Sequence, residues 1–323
     1  MVPTAATPAG AGSRPLRVGL VGCGRLAELG YAPALASAAS VALVSVADPV
    51  SARCTQVAPG LPAFRDAAAQ LAADELDLLV IASPPAAHLA DAARAAEAGV
   101  VSLVEKPPAT DAEGARRLAC LAPSPWVGFN RRFEPPMAEL RERSLAARRP
   151  LDLELELSIL PRAWGAYGKP TSALLDLGPH VVDLAGWLSG SAPNRVRTEH
   201  LDELGGVFEL ELEDGRARID VSHARPWRES IVVRDARGRT VAHHARGGLG
   251  RRIVARAISR GRSPLVASLA AQLDALAQLI RGGRSDARLA SAADAVRVMS
   301  VLDEVSAGEG EWRSLSSGEP AAC

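Results

Sequence analysis

The sequence lacks an excess of charge of either sign. Lys and Arg together number 37 of the 323 residues, Asp and Glu also number 37, and the formal net charge is therefore zero. A neutral chain has no overall basic field that would attract nucleic acid or an anionic membrane surface. We therefore expect no nucleic-acid partner, and an anionic ligand must be bound by local groups.

Cysteine is scarce and widely spaced. None of the four cysteines lies in a C-x-x-C pair; they are Cys23, Cys54, Cys120 and Cys323. This spacing argues against a zinc cluster, a thioredoxin-type motif and the disulfide framework of a small secreted domain. It fits a reducing cytoplasm, and we expect a cytoplasmic protein without a metal site.

Long apolar runs and a targeting segment are also missing. Residues 1–13 contain no charged side chain and no run of Leu, Ile or Val, so neither part of a signal peptide is present, and we interpret residues 1–15 as a loose tail. The longest uncharged stretch, residues 29–47, is rich in alanine and interrupted by Gly, Pro and Ser. Its hydrophobicity is too low for a membrane span, and we expect no membrane contact.

Several catalytic motifs are absent, and lysine is almost absent. No G-x-x-x-x-G-K-[ST] sequence occurs, which excludes the phosphate loop of kinases and NTPases, and no tyrosine precedes a lysine by four residues, which excludes a short-chain dehydrogenase dyad. Only Lys106 and Lys169 are lysines, so 37 − 2 = 35 basic residues are arginines. A lysine in such a chain indicates a need for a compact, titratable ammonium group.

The first half of the chain alternates apolar runs with alanine-rich stretches. The runs at residues 16–21, 41–47, 76–82, 100–105 and 126–130 read as buried strands, with room for crossover helices between the earlier ones. This rhythm is typical of an α/β domain with a parallel sheet. We predict that this domain covers residues 1–131.

A second domain, residues 132–323, follows a different pattern. Residues 151–160 alternate apolar and acidic side chains, as expected of a strand with one wet face. Two further pairs of strands flank turns at Gly215 and Gly238, which predicts hairpins and a largely antiparallel sheet. Helical patterns return near the C-terminus, so this domain is also of the α/β class.

The segment GCGRLA follows the first strand and opens the first helix. Gly22 permits a tight turn, Gly24 lets a pyrophosphate approach the backbone, and Ala27 permits close packing of helix on strand. The amides of Arg25 and Leu26, at the helix start, would then face the phosphates. In this context the motif predicts a dinucleotide site.

Asp48 ends the second strand, a little over 20 residues beyond Gly24. A carboxylate there can accept hydrogen bonds from both hydroxyls of the adenosine ribose, which favours NAD. Arg53 lies close enough in sequence to leave NADP as an alternative, and a simple turn at Asp48-Pro49 is another interpretation.

Three more segments carry a family resemblance: SPPAAH at residues 83–88, VEKPPA at residues 104–109 and VGFNRRFEPP at residues 127–136. Together with GLVGCGRLAELGYAPAL and ALLDLGPHVVDLAGWL, they resemble the glucose-fructose oxidoreductase, inositol dehydrogenase and MocA (Gfo/Idh/MocA) family. The resemblance implies an N-terminal Rossmann domain, a C-terminal α/β domain with an open sheet, and a site between them. The candidate cofactor contacts are Gly22, Gly24, Arg25, Leu26, Asp48, Ser83, Pro84, His88 and Glu105.

The same resemblance maps the catalytic constellation onto Lys106, Asp176 and His180. Asp176 and His180 are four residues apart, so on a helix both lie on one face, provided that the helix begins close to Asp176, because Pro179 fits only a first turn. His180 suits the role of acid and base, and Lys106 would stabilise charge on the substrate oxygen. Asp176 has a supporting role, and Glu105 would orient Lys106 or the cofactor amide.

The remaining candidates have competing interpretations. The predicted substrate contacts are Arg132, Trp164 and Tyr167, although the two aromatic residues fit a loop anchor equally well. His88 fits a helix cap as well as a cofactor contact, and Asp183 fits a structural partner. We interpret the other histidines, His200, His223, His243 and His244, as solvated strand positions, and the basic run at residues 250–262 as a solvated helix face.

These observations predict an NAD(P)-dependent oxidoreductase that acts on a secondary hydroxyl of a sugar, a cyclitol or a sugar derivative. A non-catalytic dinucleotide-binding regulator and a reductase of an imine or non-sugar double bond are the alternatives. Ser172, Ala173 and Leu174 replace a glycine-rich stretch that many similar proteins have, which leaves the substrate open. The strand at residues 151–160 predicts a subunit interface and hence a homo-oligomer, dimeric or tetrameric.

Overall fold

A computed structural model describes residues 14–161, 172–247 and 263–315, with elements numbered here in chain order. The described residues form two seven-stranded sheets with helices packed against them. The strands of the first sheet are β1 Leu16–Val21, β2 Val41–Ala47, β3 Ala63–Phe64, β4 Leu78–Ile81, β5 Val101–Val104, β6 Trp126–Val127 and, from near the C-terminus, β13 Ala290–Ser291.

The first sheet has the strand order β13-β6-β5-β4-β1-β2-β3, and β1 to β6 are parallel. Strands β1 and β4 are almost wholly buried, as continuous apolar runs with helices on both faces must be. The predicted parallel domain and its Rossmann topology are thus confirmed, and the short strand β3 is an addition. Its helices are α1 Ala32–Ser37, α2 Ser51–Val57, α3 Ala67–Ala73, α4 Pro85–Glu97 and α5 Ala112–Ala119.

The C-terminal part of the chain returns to the first sheet. Strand β13 pairs antiparallel with β6, and helix α8, Pro264–Ile280, buries Leu269, Leu273 and Leu276 in the same core as β1 and α1. Residues from both sides of the division predicted after residue 131 therefore share this core. Apolar burial drives this return, since α8 would otherwise expose its leucine face.

The second sheet has the strand order β12-β11-β7-β10-β9-β8-β14. Only the pair β7–β10 is parallel, so the prediction of a largely antiparallel sheet is confirmed. Its strands are β7 Leu151–Ser158, β8 Pro193–Leu201, β9 Gly205–Leu212, β10 Gly215–Ser222, β11 Arg228–Arg234, β12 Thr240–Gly247 and β14 Arg313–Ser314.

One face of the second sheet carries helices, and the other carries charged side chains. Leu153, Leu155 and Leu157 are buried, whereas the residues between them on β7 are charged and partly exposed. This period of two places the apolar face against the helices α6 Pro135–Ala146, α7 Ala173–Ser189 and α9 Ala292–Ser306.

Helix α7 begins earlier than predicted. The Ser172 hydroxyl caps it by accepting from the Leu175 N–H at 3.3 Å, so Asp176 lies in the first turn but Pro179 lies beyond it, inside the helix. The expectation that Pro179 stands in the first turn is wrong. Because proline has no N–H, the carbonyl of Leu175 loses its helical donor.

Candidate active site

The turn after β1 has the geometry of a phosphate loop. A Cβ on Gly22, whose φ is +87°, would lie 2.4 Å from the Ser83 backbone nitrogen, so this position requires glycine. A Cβ on Gly24 would meet nothing within 4 Å, which leaves the backbone open to an approaching group. The helical segment then starts at Arg25 and Leu26 and passes through a π-helical turn, Ala27–Tyr31, into α1.

Asp48 is joined to this loop at the end of β2. Its Oδ2 atom accepts from the Cys23 N–H at 2.9 Å and its Oδ1 atom from the Val50 N–H at 2.8 Å. Each oxygen retains a second acceptor site for a ribose hydroxyl. Asp48 therefore has a structural role in shaping the loop in addition to the predicted cofactor contact.

Lys106 lies just beyond β5, at the carboxyl edge of the first sheet. Its Nζ atom donates to the Asp176 carbonyl and to Asp176 Oδ1, both at 2.9 Å. Asp176 belongs to α7, so this contact spans the two parts of the molecule. An ammonium has three N–H donors, and two of them bind Asp176, so among the described residues one remains for a substrate oxygen.

Asp176 also contacts a residue that the sequence interpretation missed. His223, which follows β10, places Nε2 3.1 Å from Asp176 Oδ2 and is only 5% exposed. The expectation that His223 is a solvated strand residue is wrong, because the end of β10 turns in beneath α7. Burial alone would raise the pKa of Asp176, but Lys106 and His223 outweigh it and hold that pKa below its usual range.

His180 lies one turn after Asp176 on α7. Its Nδ1 atom is buried and has no hydrogen-bond partner among the described residues. Burial, together with the positive charges of Lys106 and Arg131, lowers the pKa of His180 well below its ordinary value. The imidazole is therefore neutral near pH 7, the form that can accept a proton.

Two predicted cofactor residues hold the surrounding loops. His88 is 1% exposed, and its ring nitrogens lie 2.7 Å from the Ser83 carbonyl oxygen and 3.3 Å from the Pro108 carbonyl oxygen. The Ser83 hydroxyl donates to Asp91 at 2.7 Å. His88 therefore links the loops after β4 and β5, in addition to its predicted role as a cofactor contact.

Glu105 is likewise buried beside the site. Tyr31 Oη donates to one carboxylate oxygen at 2.6 Å, and the Lys106 N–H donates to the other at 2.9 Å. Burial raises the pKa of Glu105 against the effect of these two hydrogen bonds. Glu105 thus orients the backbone of Lys106, one of its two predicted roles, while Pro84 lies exposed before α4.

Arg132, a predicted substrate contact, makes buried ion pairs. Arg132 is 5% exposed, donates from Nε to Asp183 Oδ2 at 2.9 Å and also pairs with Asp294. The ion pair joins α7 and α9, and Asp183 is the structural partner that the sequence suggested. The neighbouring Arg131 instead pairs with Glu229 on β11, and its charge contributes to the lowered pKa of His180.

The remaining predictions concern a loop, a basic run, three histidines and the absence of a metal site. Trp164, Tyr167 and the basic run at residues 250–262 lie outside the described residues. His200 and His243 are exposed, as expected, whereas the His244 side chain is largely buried, 3.9 Å from Glu229. No group of three or more His, Cys, Asp or Glu side chains within the described ranges is placed to hold a metal ion.

The residues at the carboxyl edge of the first sheet fit a dinucleotide. The open backbone at Gly24 and the acceptor sites of Asp48 lie on one side, and the Lys106–Asp176 pair lies at the end of β5. None of the helices in the portion of the chain that the structure describes is long and apolar enough to cross a membrane. Fold and site together define an α/β protein of the dinucleotide-binding class.

Comparisons with known proteins narrow this class. Residues 16–125 match the profile of an oxidoreductase family with an NAD-binding Rossmann fold, Gfo/Idh/MocA. The rhizopine catabolism protein MocA of Rhizobium meliloti is 32% identical over 189 residues, which cover 56% of this chain and 59% of that protein. The myo-inositol dehydrogenase Hyg17 of Streptomyces leeuwenhoekii is 32% identical over 218 residues, 64% of this chain and 66% of that protein.

The whole fold also matches solved structures. GenD2 from gentamicin A biosynthesis, solved in complex with NAD, superposes with a TM-score of 0.80 at 22% identity and covers 97% of this chain and 100% of its own. In sequence, the chain spans less than two thirds of the length of the curated relatives it matches. Residues 16–125 are thus similar to the NAD-binding Rossmann domain of the Gfo/Idh/MocA oxidoreductase family.

Proposed function

We propose that the protein is an NAD-dependent oxidoreductase that transfers a hydride between the nicotinamide and a secondary alcohol or ketone of a sugar, a cyclitol or a sugar derivative. The observation that carries this proposal is the pairing of Lys106 with Asp176 at the carboxyl edge of the parallel sheet. His180 lies one helical turn away. The carboxyl edge of the parallel strands is where open α/β sheets bind their ligands.

Lys106 would act on the substrate oxygen. Two of its ammonium protons are bound by Asp176, so the third can bind the hydroxyl or carbonyl oxygen of a substrate. Its positive charge stabilises the negative charge that develops on that oxygen, and the ion pair with Asp176 fixes its position.

His180 would accept or return the hydroxyl proton. Its neutral state near pH 7 leaves a nitrogen lone pair available, and Nδ1 is not engaged by any other described residue. Accepting a proton beside Lys106 and Arg131 is unfavourable until negative charge develops on the substrate, so proton transfer is tied to the chemical step. We leave the direction of the reaction open.

The NAD site would be formed by the glycine turn and Asp48. When bound, NAD supplies a nicotinamide ring that accepts or donates the hydride. The amides of Arg25 and Leu26 would bind the pyrophosphate, and Asp48 would bind the adenosine ribose. Asp48 favours NAD, because its carboxylate would repel a 2′-phosphate.

An activity assay tests the proposal. The purified protein is mixed with NAD or NADP and a panel of sugars, cyclitols and nucleotide sugars, and turnover is followed by the absorbance of the nicotinamide. Turnover of one of these alcohols, abolished by His180→Ala, is the expected result. Tight NAD binding without turnover of any alcohol, ketone or imine would instead indicate a dinucleotide-binding regulator. Turnover of an imine alone would identify the reductase alternative.

The proposal includes a small-molecule substrate, no nucleic-acid partner, a cytoplasmic location and a homo-oligomeric state. The homo-oligomer would use the outward face of β7, whose charged side chains pair with arginines of neighbouring strands. Sedimentation and cell fractionation test these two expectations directly.

A further inference from the structure

His223 occupies a position that the proposed chemistry does not yet use. It contacts the Asp176 carboxylate through Oδ2, at 3.1 Å, while Lys106 contacts the other oxygen, Oδ1, at 2.9 Å. Because a carboxylate can only accept when ionised, the His223 ring must carry its proton on Nε2. Asp176 is therefore held from two sides, by the lysine and by the histidine.

The His223 end of this arrangement is firmly anchored. The His223 N–H donates to the Leu204 carbonyl at 2.6 Å, and the preceding residue, Ser222, is paired with both Ser158 and Gly205 in the centre of the second sheet. Asp176 lies on a different element, in the first turn of α7. The sheet thus provides a fixed donor for a carboxylate that a separate element carries.

We propose that His223 is a positioning residue of the active site, which fixes the plane of the Asp176 carboxylate and thereby the direction of the free Lys106 N–H bond; this role rests on the proposed function. A carboxylate with one partner can rotate about its Cβ–Cγ bond and accept the ammonium through either oxygen. A donor at Oδ2 removes that freedom, so Oδ1 alone faces Lys106. A small error in position at a reacting centre can cost about 10²-fold in rate.

Two nearly isosteric substitutions separate this role from packing. His223→Gln can still donate to Oδ2 from its amide, whereas His223→Met fills a similar volume without a donor. With the best alcohol of the substrate panel, we expect the Met variant to lose roughly 10- to 100-fold in kcat and the Gln variant to stay within about threefold, with NAD affinity unchanged in both. His200→Met is the matched control, since His200 pairs with Asp202 on the exposed surface, and it should change nothing.

A double-mutant cycle tests whether His223 acts through Asp176. In an Asp176→Asn background, His223→Met should have little additional effect on kcat, because the carboxylate that it orients is gone. Equal rates for the Gln and Met variants, or full additivity with Asp176→Asn, would overturn the proposal. If His223→Met fails to fold, His223→Asn serves in its place, because its shorter amide does not reach Oδ2.

A measurement without turnover separates this inference from the proposed function. The chain has only two lysines, so protein labelled with ¹⁵N-lysine gives two side-chain signals, which Lys169→Arg assigns. We expect the Lys106 signal to shift in His223→Met and to stay near its original position in His223→Gln. An unchanged Lys106 signal in His223→Met would refute the positioning role, whereas a shifted signal without turnover of any substrate would contradict only the proposed function.

Discussion

At the scale of single residues, Lys106 illustrates how one side chain joins two parts of the fold. A compact ammonium reaches both the carbonyl and the carboxylate of Asp176, at 2.9 Å each. A planar guanidinium has a different shape and directs its donors in a fixed fork. The scarcity of lysine elsewhere in the chain agrees with a specific requirement here.

Replacing Lys106 should therefore lower the rate rather than cofactor binding. We expect Lys106→Met and Lys106→Arg each to reduce kcat by on the order of 10² to 10⁴-fold, with little change in NAD affinity. Steady-state kinetics and a fluorescence titration with NAD measure the two effects. An arginine variant with nearly full activity would mean that Lys106 acts only as a charged anchor.

His180 should show its lowered pKa directly. Burial and the charges of Lys106 and Arg131 disfavour the imidazolium and so lower its pKa. The ring therefore stays neutral at pH values somewhat below the ordinary histidine pKa of about 6.5. The rate of alcohol oxidation should therefore be maintained as the pH falls through 6.5 and decline only further into acid. Removing a nearby charge with Lys106→Met should raise the pKa of His180, which NMR titration of the ring measures. The absence of an upward shift would contradict the electrostatic effect of Lys106 on His180.

Asp48 should select the cofactor and also support its own loop. In the unmodified protein, the two carboxylate oxygens of Asp48 accept hydrogen bonds from the backbone N–H groups of Cys23 and Val50. Asp48→Asn replaces one of these oxygens by an NH₂ group, which cannot accept, and it weakens the predicted hydrogen bonds to the ribose. We expect NAD to bind roughly tenfold more weakly, NADP to be affected less, and the melting temperature to fall. Calorimetric titration with both cofactors checks this. Tighter binding of NADP than NAD by the unmodified protein would refute the assignment.

At the scale of elements, the Arg132–Asp183 pair links the segment after β6 to α7. Both side chains are almost fully buried, and burial raises the pKa of Asp183 to about 6 even against the attraction of Arg132. Asp294 extends the pair to α9 at 3.2 Å. Removing Asp183 would leave the buried guanidinium of Arg132 with Asp294 as its remaining carboxylate partner among the described residues.

Breaking this pair should destabilise the fold. We expect Asp183→Asn to lower the free energy of unfolding by about 1–3 kcal/mol, because Asp294 still compensates part of the charge on Arg132. Glu97→Gln, which breaks the exposed pair between Arg94 and Glu97 on α4, is the matched control and should cost less than about 1 kcal/mol. Urea unfolding measures both. A cost for Asp183→Asn as small as that of the control would show that the pair contributes little.

At the scale of the whole molecule, the outer face of the second sheet is a network of paired charges. Asp152 pairs with Arg216 at 2.8 Å, and Glu154 pairs with Arg234 at 2.8 Å. The apolar face of the same sheet is already covered by helices. A subunit interface on the outer face would therefore be polar, whereas the interfaces of homodimers are more often apolar at their centre.

The oligomeric state can be tested on this face. We expect sedimentation to show a dimer or tetramer, and Glu154→Arg to shift it toward the monomer, because the new arginine stands beside Arg234. Glu113→Arg, on the exposed surface of α5, is the matched control and should leave the assembly unchanged. A monomeric unmodified protein at micromolar concentration would refute the proposed interface.

The sequence by itself determined the parts of this protein that depend on local order. The apolar runs predicted the parallel strands, the alternation in residues 151–160 predicted the half-buried strand β7, and the GCGRLA turn predicted the cofactor loop. The four-residue spacing of Asp176 and His180 placed both on one helix. These features are readable because each follows from a periodicity or spacing of one or two turns.

Only the tertiary structure decided which distant residues meet. Asp176 and His223 are 47 positions apart, and Arg132 and Asp294 are 162 positions apart, so neither contact leaves a local pattern. The adjacent Arg131 and Arg132 look alike in sequence, yet one pairs with β11 near His180 and the other with Asp183. Likewise, α8 packs its apolar face against the core of the first sheet, and β13 pairs with β6. This placement depends on the packing of the entire chain and not on a local pattern.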